Sequence, residues 1–185
     1  MLMRTAFNPR AISTLILLLT SICSCHPDDP EPVNEEEVIT TIRITLTPEE
    51  GTRPVNLLFF DADGEQGSIQ PEITVSGALQ AAMTYSAVII LKNETANPPI
   101  DVSAEISEES DDHLFCFTSG SNISIEYADD DHNGRPIGLE SVWETGDPGA
   151  ASVTVVLRHQ PGTKTGECPG SGETDAEVTF NVAIE

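Results

Sequence analysis

VITTIRITLT, residues 38–47, decides the fold. Ile42, Ile44 and Leu46 fall on one side of an extended chain, and Arg43, Thr45 and Thr47 fall on the other. Successive side chains of a strand point to opposite faces, so this alternation predicts a half-buried β-strand, not a helix. The same rhythm continues through VNLLFF (55–60), ITVSG (73–77), YSAVIILKN (85–93) and HLFCFTS (113–119). It goes on through NISIEYA (122–128), LESVWET (139–145), SVTVVLRH (152–159) and AEVTFNVAI (176–184), with Gly, Pro, Asp or Asn clusters between the runs. Eight or nine short strands with frequent turn signals predict an all-β, antiparallel, immunoglobulin-like β-sandwich. One segment departs from the rhythm: DVSAEISEESDD, residues 101–112, reads either as a short acidic helix capped by Asp101 or as a solvated connection. Cys116, Trp143 and Cys168 occur in the order of the antibody-domain hallmark, but Cys168 falls in a loop, so the sandwich rests on periodicity.

Upstream of the strands the chain changes character. Arg4 and Arg10 flank a basic start, and AISTLILLLTSI (11–22) is an apolar run. That run is a signal-peptide core, too short for the roughly 20 apolar residues that span a bilayer. Ile22-Cys23-Ser24-Cys25 follows and resembles the lipobox of bacterial lipoproteins, with small Ser24 before the lipid-accepting Cys25. The resemblance implies a signal peptide over 1–24 and several acyl chains on Cys25, which hold a protein durably where one chain holds it marginally. Residues 25–37, rich in Pro, Asp and Glu, have nothing apolar to pack and read as a disordered tether. Asp28, Asp29 and Glu31 also resemble the surface-export signal of Bacteroidetes lipoproteins. This implies a surface-exposed outer-membrane location, with a periplasm-facing one as the alternative. Residues 38–185 then form a single domain.

Charge narrows the partners. The chain carries 8 basic and 31 acidic residues, a net charge of −23. Losing Arg4 and Arg10 leaves six basic residues against the same 31, or −25 for the mature chain. Such a field repels nucleic acid and anionic headgroups, and favours cations, cationic surfaces or plain solubility. Cys116 and Cys168 remain after processing. In an oxidising envelope they either pair, closing a loop worth about 4 kcal/mol of chain entropy, or leave Cys116 as a small buried hydrophobe.

The runs NEEEVITTIRITLTP (34–48), LKNET, DDDHNGRPIGLES, VVLRH and GETDAEVTFNVAIE look like a family of small uncharacterised Bacteroidetes lipoproteins across nearly the whole mature chain. Members often carry the label "type 1 periplasmic binding fold superfamily". That label implies two α/β lobes and about twice this length, whereas the strand rhythm here implies one β-domain.

The sharpest chemical pattern is DDDHNGRPIGLE, residues 129–140, which satisfies the calcium-loop spacing D-x-[DN]-x-[DN]-G-x5-E. Asp129, Asp131 and Asn133 would supply oxygens, Gly134 the sharp turn, and Glu140 two closing oxygens. The flanks read as strands instead of helices, so an acidic Asn-Gly hairpin turn without metal competes with it. Asp61 and Asp63, in DADGE at a strand end, are a weaker calcium candidate because Asp-Gly is also a common turn pair. His113 and His159, with Glu173 and Asp175, would form a transition-metal site only if the fold joins them. The sequence favours two solvated surface histidines. No nucleophile elbow, zincin motif or phosphate-binding glycine loop is present. The expected class is a lipid-anchored, non-catalytic binding or adhesion-type module, touching the membrane through Cys25 and binding an unknown protein or small ligand. A structural or accessory envelope protein with no dedicated ligand is the alternative.

Overall fold

The computed structural model describes residues 37–51, 53–64 and 67–185. The signal segment and tether up to residue 36, with Cys25, lie outside the described residues, as does Glu65. Ten strands and one helix follow in the order β1 (Thr41–Pro48), β2 (Val55–Phe60), β3 (Glu72–Val75), β4 (Thr84–Asn93), β5 (Ile100–Asp101), α1 (Val102–Glu108), β6 (His113–Ser119), β7 (Ile123–Tyr127), β8 (Glu140–Thr145), β9 (Gly149–His159) and β10 (Glu173–Ile184). All sheet pairs are antiparallel. One sheet runs β3-β2-β1-β4-β8-β7, with β5 attached to β4, and the other runs β10-β9-β6.

The arrangement is an all-β sandwich, as the alternation predicts. Setting aside β2, β3 and β5 leaves β1-β4-β8-β7 facing β6-β9-β10. That is the strand adjacency of the seven-stranded immunoglobulin sandwich, ABED against CFG. The β2–β3 hairpin widens the first sheet beyond its usual edge. The segment at 101–112 resolves as the helical alternative: the Asp101 carboxylate accepts from the Ser103 amide at 3.1 Å and caps α1. Val102 and Ile106 turn inward from the helix, while Ser103 Oγ accepts from Leu91 N at 2.6 Å and ties it to β4.

Alternation supplies the core. Ile42, Ile44 and Leu46 from β1, and Tyr85, Ala87, Ile89 and Leu91 from β4, meet Val153, Val155 and Leu157 from β9 and Val178, Phe180 and Val182 from β10. Trp143 on β8 is wholly buried, donates its indole N–H to Ser141 Oγ at 2.9 Å and meets Phe117 edge-on. Burying each such large side chain contributes about 1.5–3 kcal/mol.

Register fixes which end carries the loops of interest. Thr41 pairs with Phe60 and Lys92, and His113 and Glu173 both pair with His159. The start of β1, the end of β2, the end of β4, the start of β6, the end of β9 and the start of β10 therefore share one rim. The 128–139 loop lies toward the same rim, since β8 begins opposite Val88, midway along β4, and runs away from that rim to Glu144 opposite Thr84. A disulfide joins Cys116 of β6 to Cys168 of the 160–172 loop, with Cα atoms 5.7 Å apart.

This bond closes a 52-residue separation and constrains the unfolded chain by about 4 kcal/mol in the entropy model. The Cys116→Ala/Cys168→Ala variant is expected to lose about 2–5 kcal/mol of unfolding free energy in urea. Equal midpoints for the oxidised parent and the double variant would show that the bond contributes nothing.

Candidate metal centre and acidic rim

His113 and His159 are core positions, not solvated surface histidines. Inward residues of β9 run Val153, Val155, Leu157, and the next step of two is His159. On β6 the inward series His113, Phe115, Phe117 sits opposite His159, Leu157 and Val155. The two imidazoles are thus the last pair of the inner rows. Their rings stack with centroids 4.5 Å apart and planes 7° apart. His113 is fully buried and His159 is 8% exposed.

Two carboxylates complete the cluster. β10 carries a bulge between Thr174 and Ala176, and Asp175 is the extra residue of that bulge. A bulge re-aims one side chain, and the Asp175 side chain is 2% exposed, turned in beside the histidines. Glu37, assigned by composition to the tether, docks from just before β1, with Oε1 3.0 Å from His113 Nε2. Asp175 Oδ2 lies 3.9 Å from the same nitrogen. One ligand atom from each of Glu37, His113, His159 and Asp175 lies within 4.8 Å of the others. Glu173, the neighbour named with these residues from sequence, is exposed and takes no part in this cluster. Gly172 abuts His159: at φ +84, a Cβ there would meet the His159 carbonyl oxygen at 1.9 Å.

Electrostatics follow from these contacts. His113 Nδ1 lies 3.1 Å from the Glu109 carbonyl, which can only accept, so Nδ1 carries the proton and Nε2 faces the carboxylates. Burial works against the imidazolium, but the bond to Glu37, the Glu109 carbonyl and the charges of Glu37 and Asp175 outweigh it. The His113 pKa is raised above 6.5. Burial likewise works to raise Glu37, yet its bonds to His113 and to its own backbone, with the charges of His113 and His159, hold it below 4.5. Glu37 Oε2 and His159 Nδ1 are buried without a hydrogen-bond partner.

Beside the cluster lies an open cleft of about 510 Å3, floored by Ile42 and Phe59 and edged by Glu37, Asp61, Asp175 and Glu177. Asp61 and Asp63 shape its rim. Asp61 Oδ1 accepts from the amides of Asp63 at 3.3 Å and Gly64 at 3.1 Å. Asp63 Oδ2 accepts from Ser68 at 2.7 Å and Ile69 at 3.1 Å. Gly67 passes so close that a Cβ would lie 2.1 Å from the Asp63 carboxyl.

In the 129–140 loop the carboxylates hold protein groups. Asp129 accepts from Gly138 N at 2.7 Å and Glu140 N at 3.0 Å. Asp131 Oδ1 accepts from Asn133 N at 2.8 Å and Arg135 N at 2.9 Å, and Oδ2 pairs with Lys164 Nζ at 3.0 Å. Lys164 also donates to the Ser110 carbonyl at 2.7 Å. Burial pushes Asp131 up, but the Arg135 amide, Lys164 and the Asn133 amide prevail and hold its carboxyl below 3.8. Asn133 and Glu140 are exposed, and Asp129, Asp131 and Glu140 do not gather into a ligand cluster among the described residues. The buried carboxylate of this turn is paired with the Lys164 ammonium. No protein-family model, curated protein or solved structure matches this chain.

Two outcomes are expected. Lys164→Met leaves the Asp131 charge buried and unpaired, and is expected to cost about 3–5 kcal/mol in urea unfolding; Asp131→Asn/Lys164→Met recovers part of it. A loss below 1 kcal/mol would mean the pair is solvated. In chelator-treated protein, raised His113 adds stability that is complete below pH 6.5 and lost as pH climbs through its folded pKa. Lowered Glu37 adds stability present above pH 4.5 and lost as pH falls through its folded pKa. The urea midpoint should be highest between about pH 4.5 and 6.5, and His113→Gln should flatten the alkaline side. An unchanged alkaline slope in that variant would contradict the assignment.

Proposed function

We propose that this protein is a non-catalytic binding module of the cell envelope, attached to the outer membrane through lipid on Cys25, which takes a cationic ligand in its rim cleft. The supporting observation is the cleft lining: Glu37, Asp61, Asp63, Asp175 and Glu177 surround its apolar floor, and among the described residues no Lys or Arg lines it. A concave site with an apolar floor and converging polar groups is the usual form of a small-ligand site. Low-dielectric walls focus the field of one-signed charges and raise the local concentration of counter-ions. Attachment rests on the order of basic start, apolar core, Ser24 and Cys25. Among the described residues no helix is long and apolar enough to cross a membrane. The twelve residues from Cys25 to Glu36 span at most about 43 Å when fully extended, so the rim would work close to the anchoring surface. The acidic segment after Cys25 supports export to the cell surface. A second reading, an accessory envelope protein without a ligand, draws on the net charge of −23, which serves solubility wherever it is spread.

Two measurements test the proposal. Cys25→Ala is expected to move the protein from the membrane pellet to the soluble envelope fraction; a variant that still pellets would refute lipid anchoring. Hexaamminecobalt(III), an inert trivalent cation that binds only through its outer sphere, is expected to shift the amide resonances of Asp61, Asp63 and Glu177 first. A response spread evenly over the acidic surface would favour the accessory reading.

A further inference from the structure

We propose that Glu37, His113, His159 and Asp175 form an inner-sphere binding site for a divalent transition-metal ion of the zinc class. The inference deepens the cleft reading, because Glu37 and Asp175 also line the cleft and give an ion its way in. It does not depend on attachment at Cys25.

The donor set is the first ground. Two imidazole nitrogens and two carboxylates suit zinc, cobalt or nickel, whereas calcium wants six to eight oxygens. The four atoms lie within 4.8 Å of one another. Ligands about 2.0–2.2 Å from a tetrahedral ion sit about 3.3–3.6 Å apart, so closing the site takes movement of about an ångström. The His113 Nε2 to Glu37 Oε1 distance is already 3.0 Å.

Support behind the donors is the second ground. A ligating histidine usually donates its other ring N–H to a carbonyl or carboxylate, which fixes tautomer and orientation. His113 does this through Nδ1 to the Glu109 carbonyl. Asp175 is aimed inward at the bulge of β10.

Unused polar capacity is the third ground. His159 is more than nine-tenths buried and its Nδ1 has no partner, and Glu37 Oε2 is buried without one. Such orphaned groups are costly to bury and few in folded proteins. A divalent ion would also neutralise the two carboxylates once both rings are neutral, so no net charge would remain inside.

The stack of the two rings defines the motion that binding requires. An ion bound by an imidazole nitrogen lies near the plane of that ring, and rings only 7° from parallel and 4.5 Å apart cannot share one ion. His113 is held at both nitrogens, so His159, with Nδ1 unbonded, is the ring that turns out of the stack.

The test uses the secreted chain stripped with a chelator and then dialysed. Zinc at a hundredfold excess over its Kd is expected to raise Tm by roughly 5–10 °C, and calcium at the same concentration is not. Cobalt(II) is expected to give the visible d–d bands of a four-coordinate site, and zinc to shift the His159 ring-nitrogen resonances. His159→Gln and His113→Gln, checked for native circular dichroism, should each weaken zinc binding at least tenfold and abolish the cobalt bands. Absence of those bands in the parent, or equal zinc affinity in the His113→Gln/His159→Gln double variant, overturns the site. Hexaamminecobalt(III) separates the two readings, since it cannot exchange its ammonia ligands for imidazole. If it still binds the cleft while zinc and cobalt(II) fail, the inner-sphere site falls and the cleft stands. If zinc binds through the histidines while the hexaammine ion ignores the cleft, the reverse holds.

Discussion

Trp143, Tyr85 and Phe180 fill the space between the sheets, and the inward rows of β1, β4, β9 and β10 close around them without a polar break. Packing at this density leaves polar groups two places to go: the solvent faces of the strands or the ends of the sandwich. The domain uses both. Arg43 and Lys92 lie on the outer register of their strands, while among the described residues the buried His, Asp and Lys side chains, His113, His159, Asp61, Asp131 and Lys164, all belong to one rim. Where the inner rows reach that rim, they end in imidazole instead of Ile or Val. The chemistry of the molecule begins where its apolar packing stops.

Most of the strands were legible because one buried face imposes a period of two. Nine runs read from alternation correspond to nine strands; only the two-residue β5 gave no signal, being too short to show a period. The Asp101 cap was legible too, since a carboxylate before a helical run has a local reason to be there. The histidine pair could have been found the same way: counting by twos from Val153 reaches His159. What concealed it was chemistry, because a histidine at a strand end next to acidic loops resembles a solvated one. Asp175 and Glu173 could not be told apart, since which faces inward depends on a bulge that local sequence does not mark. Glu37 was hidden for a different reason. It is the third of three consecutive glutamates in an acidic stretch, and only the position of β1 relative to β6 singles it out.

The calcium-like spacing is instructive in the same physical terms. Alternate acidic residues around an Asn-Gly turn gather oxygens whether or not a metal is present, because carboxylates at such turns also cap backbone amides. Asp129 and Asp131 spend their oxygens on Gly138, Glu140, Asn133 and Arg135. The remaining charge is met by Lys164, the only buried lysine or arginine among the described residues. In a chain of net charge −23, a cation brought in on the 160–172 loop fixes where that loop lies, and Cys168 fixes it again a few residues later.

Stitching of the two ends has a consequence for the order in which this domain can be made. Leu79 exchanges backbone hydrogen bonds with Ala183 and Glu185, and the Glu37 cluster needs Asp175 from the beginning of the last strand. A chain emerging from its N-terminus can form the β1–β2 hairpin early, yet β9 has no second neighbour until β10 arrives. Until then the inner face of the smaller sheet stays open along one side, with Val153, Val155 and Leu157 in reach of other chains. Completion is thus a late, nearly simultaneous event at both ends of the sandwich, and a ribosome that stalls before residue 173 leaves an adhesive half-product instead of a smaller domain.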